Sequence, residues 1–283
     1  LICLVTIGTC MLSEYLSRKI MKRSNTLGDL SAVVTGLLLA FNLPVSIPLW
    51  QAAIGSVIAI VVVKQLFGGI GQNFVNPAIT GRIILMVSFP TAMTTWIKPL
   101  LWLDKGAEAV TTATPLTMMT KGGELSDGLP SLVDMLIGIR GGSLGETCAV
   151  ALIIGGVYLM IRKIISPAIP LSFIGTVAVI MLIAGKGSFT FVAYQLLSGG
   201  LMLGAFFMAT DYTTSPINLK GRIIFGIGCG LLTSFIRLFG SLPEGVSFSI
   251  ILMNILVPHI EHLTTPKPFG TVKEKKKKGA EKA

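Results

Sequence analysis

Apolar residues along this chain come in long blocks, separated by short polar and charged stretches. The blocks cover residues 1–16, 29–47, 49–66, 78–96, 147–161, 168–185, 189–208, 221–239 and 246–260. About 20 apolar residues in helical conformation cross the hydrocarbon core of a bilayer. The pattern therefore predicts nine membrane helices. The first block is short for a span and opens without a preceding polar segment, so part of that helix is expected ahead of it. Arg18, Lys19, Lys22 and Arg23 follow the first block, Lys64 closes the third, Arg162 and Lys163 close the fifth, and Lys220 and Arg222 flank the eighth. Basic residues concentrate on the cytoplasmic side of membrane proteins. Counting crossings puts all these clusters on that side and the polar stretch 97–145 outside. That stretch, taken with Glu146 at its edge, holds four basic and six acidic side chains, a net charge of −2. Residues 132–139 are apolar but too short to span, which predicts an interfacial helix.

Composition agrees. Of 283 residues, 52% are hydrophobic and 13% charged, and the mean hydropathy is +0.80. Soluble domains carry about a quarter charged residues, so the fold class expected is an all-α polytopic membrane protein. The net charge is +10, and residues 267–283 alone hold seven Lys against two Glu. A basic tail beside a membrane is a cytoplasmic topology signal with affinity for anionic lipid. A chain this apolar is a poor candidate for binding nucleic acid. Cys3, Cys10, Cys148 and Cys229 lack metal-ligand spacing, and His259 and His262 read as residues of a membrane interface, so no metal site is expected. Gly68, Gly69 and Gly71 lack both the full glycine pattern and the preceding strand of a nucleotide loop.

Two segments resemble each other. Asn76-Pro-Ala-Ile-Thr-Gly-Arg-Ile-Ile84 and Ser215-Pro-Ile-Asn-Leu-Lys-Gly-Arg-Ile-Ile224 lie 139 residues apart at their Pro and 140 at Gly-Arg. Matching Pro/Gly breaks in two halves point to a repeat-built transporter core with its path at the breaks. The division expected is residues 1–145, 146–265 and a basic tail, 266–283.

The polar stretch 97–145 contains Glu108-Ala-Val-Thr-Thr-Ala-Thr-Pro-Leu116. Threonines before a Pro are common at capped turns; they are also exposed, conformationally fixed hydroxyls. This run resembles the flavinylation motif of the family formed by the Rnf D subunits and the Nqr B subunits, in which the last Thr, here Thr114, carries FMN through a phosphoester. Glu108 stands where that family usually has Asp, and Thr112 where it often has Gly or Ala; Thr111 and Ala113 complete the motif. The resemblance extends to Phe67-Gly-Gly-Ile-Gly-Gln-Asn73, Asn76-Pro-Ala78, Gly81-Arg82, Gly204-Ala-Phe-Phe-Met-Ala-Thr-Asp211, Pro243-Glu-Gly245 and Met253-Asn254. The run Thr265-Pro-Lys-Pro-Phe-Gly270 favours the Rnf branch of that family.

The resemblance implies one further helix ahead of the first block, ten in all; five per half, an odd number, require inverted repeats, a fold similar to ammonium and urea channels. It implies a subunit of a redox-driven sodium or proton pump in a bacterial inner membrane, with partner subunits A, B, C, E and G, relaying electrons between ferredoxin and NAD. It also implies a second, non-covalent flavin, riboflavin. It places Asp211 near the ion path with Phe207, four residues earlier on the same helix face. Residue by residue, Asp211 also reads as a helix-end cap, Glu244 as a solvated turn acid, and Arg82 and Arg222 as topology markers. Alternatives for the two arginines are neutralising a cofactor phosphate or pairing with Asp211. Rival functions are a passive channel or secondary transporter without flavin, and an assembly subunit without a redox centre.

Overall fold

A computed structural model describes residues 1–97, 113–119, 128–240 and 244–266. Among these residues every regular element is helical. In the first half these are α1 (Ile2–Ile20), α2 (Ser31–Phe41), α3 (Leu49–Val57), α4 (Pro77–Ser88) and α5 (Pro90–Thr94). Two short helices follow, α6 (Pro115–Met118) and α7 (Leu132–Ile137). The second half contains α8 (Ala149–Ile161), α9 (Ala168–Ala184), α10 (Phe189–Leu197), α11 (Leu201–Leu203), α12 (Leu219–Phe239) and α13 (Val246–Thr264). Each of the nine apolar blocks holds helix. Among the described residues only α12 and α13 are long and apolar enough to cross a membrane alone; α10 and α11 with the π-helical stretch that follows make a third such length but bend by 66° at their junction. The expected short apolar helix at 132–139 is α7, started by a Ser131–Asp134 capping box and stopped by Gly138 at φ +107°.

The outer surface is apolar: Leu4, Ile183, Phe235 and Phe239 are each more than 60% exposed. Such a surface is suited to lipid rather than water, and together with the apolar helices it makes this a membrane protein.

Two larger cores and a small third, Cys10, Ala32 and Ile60, hold the helices. Of the larger two, one joins Leu39, Leu43, Ile47, Leu85 and Met93 of the first half. The other joins Phe173, Phe191, Leu203, Phe225 and Ile250 of the second, with Ile79 reaching in from α4. α9 and α12 approach closely because Gly226 and Gly230 leave room: a side chain there would come within 2.9–3.0 Å of the Ile169 and Phe173 carbonyl oxygens. Small residues four apart are a common device where helices pack in lipid.

The two resembling segments have similar surroundings. α3 runs into a π-helical stretch, Ile58–Gln65, before the loop that leads to α4. α11 runs into another, Gly204–Met208, before the loop that leads to α12. π-helical turns are uncommon and recur at functional positions.

Candidate functional site

Thr114 is the N-cap of α6. Pro115 follows at the first helical position, and the Thr114 hydroxyl accepts the Thr117 N–H. Leu116 is buried in the larger core and fixes this turn to the protein. The cap reading and the acceptor reading of Thr114 are thus compatible: the residue caps a helix, and its half-buried side chain lines a cavity of about 300 Å³. Arg82, Trp96, Thr117, Glu146 and Glu244 line it too. Ala113 also borders it, whereas Glu108, Thr111 and Thr112 lie outside the described residues.

The cavity floor is a buried charge network. Asn76 caps α4, accepting the Ala78 and Ile79 N–H groups, and Pro77 follows it. One and a half turns on, Arg82 points inward. It donates from Nη1 to Asn42 Oδ1 at 2.7 Å and from Nη2 to Glu244 Oε2, with which it forms an ion pair. Arg82 is thus no topology marker, and Glu244 is no solvated turn acid. Its other oxygen accepts the Gly200 N–H at 2.7 Å.

Gly200 sits in the break between α10 and α11, beside Gly199 at φ +65°. A break inside a membrane helix frees carbonyl groups that the protein must satisfy. Arg237 of α12 does so, donating to Gln195 O at 2.6 Å and Ser198 O at 3.1 Å. Arg140 donates to the carbonyls of Glu146, at 2.5 Å, and Thr147, at 3.2 Å. The Glu146 carboxylate receives the Ser143 hydroxyl at 3.1 Å and joins no ion pair among the described residues. Burial, and then the neighbouring Glu244 charge, push the Glu146 carboxyl above the usual range, and burial lowers Arg140.

From Arg82 a chain of buried polar groups crosses the interior. Asn42 Nδ2 reaches Met208 Sδ at 3.6 Å, and Asn76 Nδ2 donates to Met208 O at 3.3 Å. The Asn76 N–H donates to Asn254 Oδ1 at 3.3 Å, and Asn254 Nδ2 donates to Thr214 O at 2.8 Å. Thr214 and Thr213 donate their hydroxyls to Asp211 Oδ2 at 3.1 and 3.0 Å. Asp211, a half-buried turn residue, is therefore connected to the cavity floor. Arg222 is not its partner; it donates to Pro216 O at 3.0 Å. Phe207 lies against Gly155 of α8. It shares no helical face with Asp211, because the π-helical stretch ends at Met208.

A second buried ion pair was not anticipated. Glu14 of α1 and Lys64 meet at 2.8 Å with side chains 0% and 4% exposed. Thr26 donates to Glu14 at 2.7 Å, and Lys64 to Ser31 at 2.5 Å. Lys64 thus turns inward rather than marking the end of a span. Gly69, at φ +110°, leaves room for the Arg18 guanidinium, with which a side chain there would collide. Among the described residues no group of His, Cys, Asp and Glu has the geometry of a metal site.

The family model described as NQR2, RnfD, RnfE matches residues 1–270, nearly the whole chain. The chain belongs to this family. Its similarity to named members is high. The D subunit of the Na(+)-translocating ferredoxin:NAD(+) oxidoreductase complex of Acetobacterium woodii is 47% identical over 280 residues, 96% of this chain and 84% of that protein. The D subunit of the proton-translocating ferredoxin:NAD(+) oxidoreductase complex of Clostridium ljungdahlii is 46% identical over 270 residues, 92% of this chain and 81% of that protein. The D subunit of the ion-translocating oxidoreductase complex of Escherichia coli is 37% identical, covering 93% and 84% respectively. The cavity, Arg82, Asn76 and Asn254 all fall inside the matched region of this family member.

Proposed function

We propose that this chain is the D subunit of an ion-translocating ferredoxin:NAD oxidoreductase complex, that Thr114 carries FMN covalently, and that Asp211 contributes to the ion path. The observation that carries the flavin reading is the Thr114 hydroxyl on a cavity whose floor holds buried Arg82. The chemistry of the lining fits a phosphorylated flavin. Arg82 Nε is buried without a hydrogen-bond partner, and an unsatisfied guanidinium N–H suits a phosphate oxygen or another anionic acceptor. Met86, Met93 and Trp96 supply apolar wall, as flat cofactors require. Bound there, the flavin would supply reversible electron transfer. The protein's part is to fix its position through Thr114, to set its charge environment through Arg82, and to keep water away. On this reading the FMN loop faces outside and the tail the cytoplasm, with subunits A, B, C, E and G as partners. On the same reading the helices form an inverted five-plus-five arrangement, and the π-helical stretches ahead of α4 and α12 support a repeat.

The test is fluorescence under ultraviolet light after denaturing electrophoresis, with the chain expressed beside its flavin transferase. The wild type is expected to fluoresce, and Thr114→Val to lose the signal while keeping its thermal unfolding midpoint. A fluorescent Thr114→Val protein would overturn the assignment. A colourless wild type would favour the passive channel.

The coupling ion does not follow from similarity, because relatives named for sodium and for protons are 47% and 46% identical to this chain. Asp211→Asn addresses the ion path directly. If the carboxylate binds the transported cation, ferredoxin-driven NAD reduction is expected to slow and its sodium response to flatten, with the Thr114 fluorescence unchanged. Asn caps turns about as well as Asp. An unaltered rate and sodium response would therefore leave Asp211 only its hydrogen bonds to Thr213 and Thr214.

A further inference from the structure

We propose that Glu146 is a proton-binding site of the Thr114 cavity, whose hold on the proton tightens when the cavity occupant carries an added electron and loosens when that electron leaves. The inference rests on the flavin reading for the identity of the occupant, but its own basis is the geometry of the charged groups. Glu146 is 4% exposed, lines the cavity, and has the Ser143 hydroxyl on its carboxylate. Three guanidinium groups lie around it, and each is committed elsewhere. Arg82 of α4 binds Asn42 and Glu244, Arg140 after α7 binds the carbonyls of residues 146 and 147, and Arg237 of α12 binds Gln195 and Ser198. The second carboxylate, Glu244, stands across Gly200. A side chain on Gly200 would run into Glu244 and come within 3.6 Å of Glu146 Oε2 and 3.5 Å of Arg82 Nη1.

A buried carboxylate that no guanidinium pairs with directly is costly, and protonation relieves that cost. Two carboxylates about one site also resist joint ionisation. Arg82 holds the charge on Glu244, so the proton goes to Glu146. With Glu146 neutral, the described charged groups are Arg82, Arg140 and Arg237 against Glu244, a net positive seat for an anion. That seat favours an added electron, and the electron's charge then draws the proton. An electron arriving from the ferredoxin side adds one negative charge to the occupant. The added charge raises the affinity of Glu146 for a proton, which is taken from water as an O–H bond forms on the carboxylate. When the electron leaves, the bond breaks and the proton returns to water. Linkage requires the converse: protonation of Glu146 must favour the reduced occupant.

Infrared spectroscopy of the purified complex, titrated in pH, tests the proton site without needing flavin. The wild type is expected to show a protonated-carboxyl C=O band that persists above the ordinary carboxylate range. Glu146→Gln should remove it, Glu146→Asp should restore it at a shifted frequency, and Ser143→Ala, which spares the carboxyl, should move it. A spectrum identical in wild type and Glu146→Gln overturns the proposal, and so does the lack of any such band in the wild type. The link to the electron is read by redox titration of flavin absorbance. The midpoint potential should fall with rising pH in the wild type and lose that slope in Glu146→Gln. An unchanged slope, with Thr114 fluorescence retained, overturns the link. Loss of wild-type fluorescence would instead overturn the flavin reading, leaving the infrared result to decide the proton site alone.

Discussion

Arg82→Met is expected to lower the stability of the protein by about 3–5 kcal/mol, the range for removing one partner of a buried ion pair. The side chain of Arg82 is 4% exposed and that of Glu244 11%, so water cannot take over the role of the guanidinium. Met fills a similar volume, which confines the loss to charge and hydrogen bonds. Two acceptors are abandoned at once, Glu244 Oε2 and Asn42 Oδ1. The measurement is the thermal unfolding midpoint in detergent, with Arg222→Met as the control, since Arg222 binds a single backbone carbonyl. The double variant Arg82→Met/Glu244→Gln should recover a large part of the loss, because the unpaired charge is gone. Equal midpoints for Arg82→Met and wild type would mean that the pair contributes nothing.

The second large effect is expected at Lys64→Met. Glu14 is fully enclosed, and losing its counter-charge should again cost about 3–5 kcal/mol. Here the remedy differs. Glu14 keeps the Thr26 hydroxyl at 2.7 Å, so Lys64→Met/Glu14→Gln retains one hydrogen bond and should approach wild-type stability. Replacing a buried pair by neutral groups of similar volume is often close to neutral. Unfolding midpoints of the two single variants and the double variant form a cycle whose coupling energy is the direct reading. A coupling near zero would rule out a pair that holds α1 against the π-helical stretch.

How far the sequence carried the structure depended on whether a signal was local. Hydrophobic blocks mark helices because lipid-facing helices must be apolar along their whole length, and all nine blocks hold helix. Asn76-Pro77, legible in the sequence only as part of a Pro/Gly break, is the capped start of α4. The charged residues behaved differently. Arg82, Lys64 and Glu244 stand near helix ends, where a basic residue or a turn acid ordinarily meets water. Their partners are 162 residues away for Arg82 and 50 for Lys64. No short-range pattern tells a charge that faces solvent from one that faces such a partner. Glu14 was the available signal: an acid inside an apolar run is costly and implies a buried counter-charge. The resemblance pairs Phe207 with Asp211 on one helix face, but the chain leaves the helix between them.

The line of hydrogen bonds through Asn42, Asn76 and Asn254 has a mechanical consequence. Asn76 belongs to the first half and Asn254 to the second, and each is at most 3% exposed. If the halves rocked against each other as rigid bodies, the Asn76–Asn254 and Asn76–Met208 bonds would part in the interior, leaving buried groups unsatisfied at about 1–3 kcal/mol apiece. The seam between the halves is therefore stitched rather than hinged. Gating is cheaper where the helices are already interrupted, at Ser198–Gly200 and at the turn that carries Asp211. If the protein moves ions as proposed, that movement is expected to follow small local shifts around a stationary seam, not a swing of one half past the other.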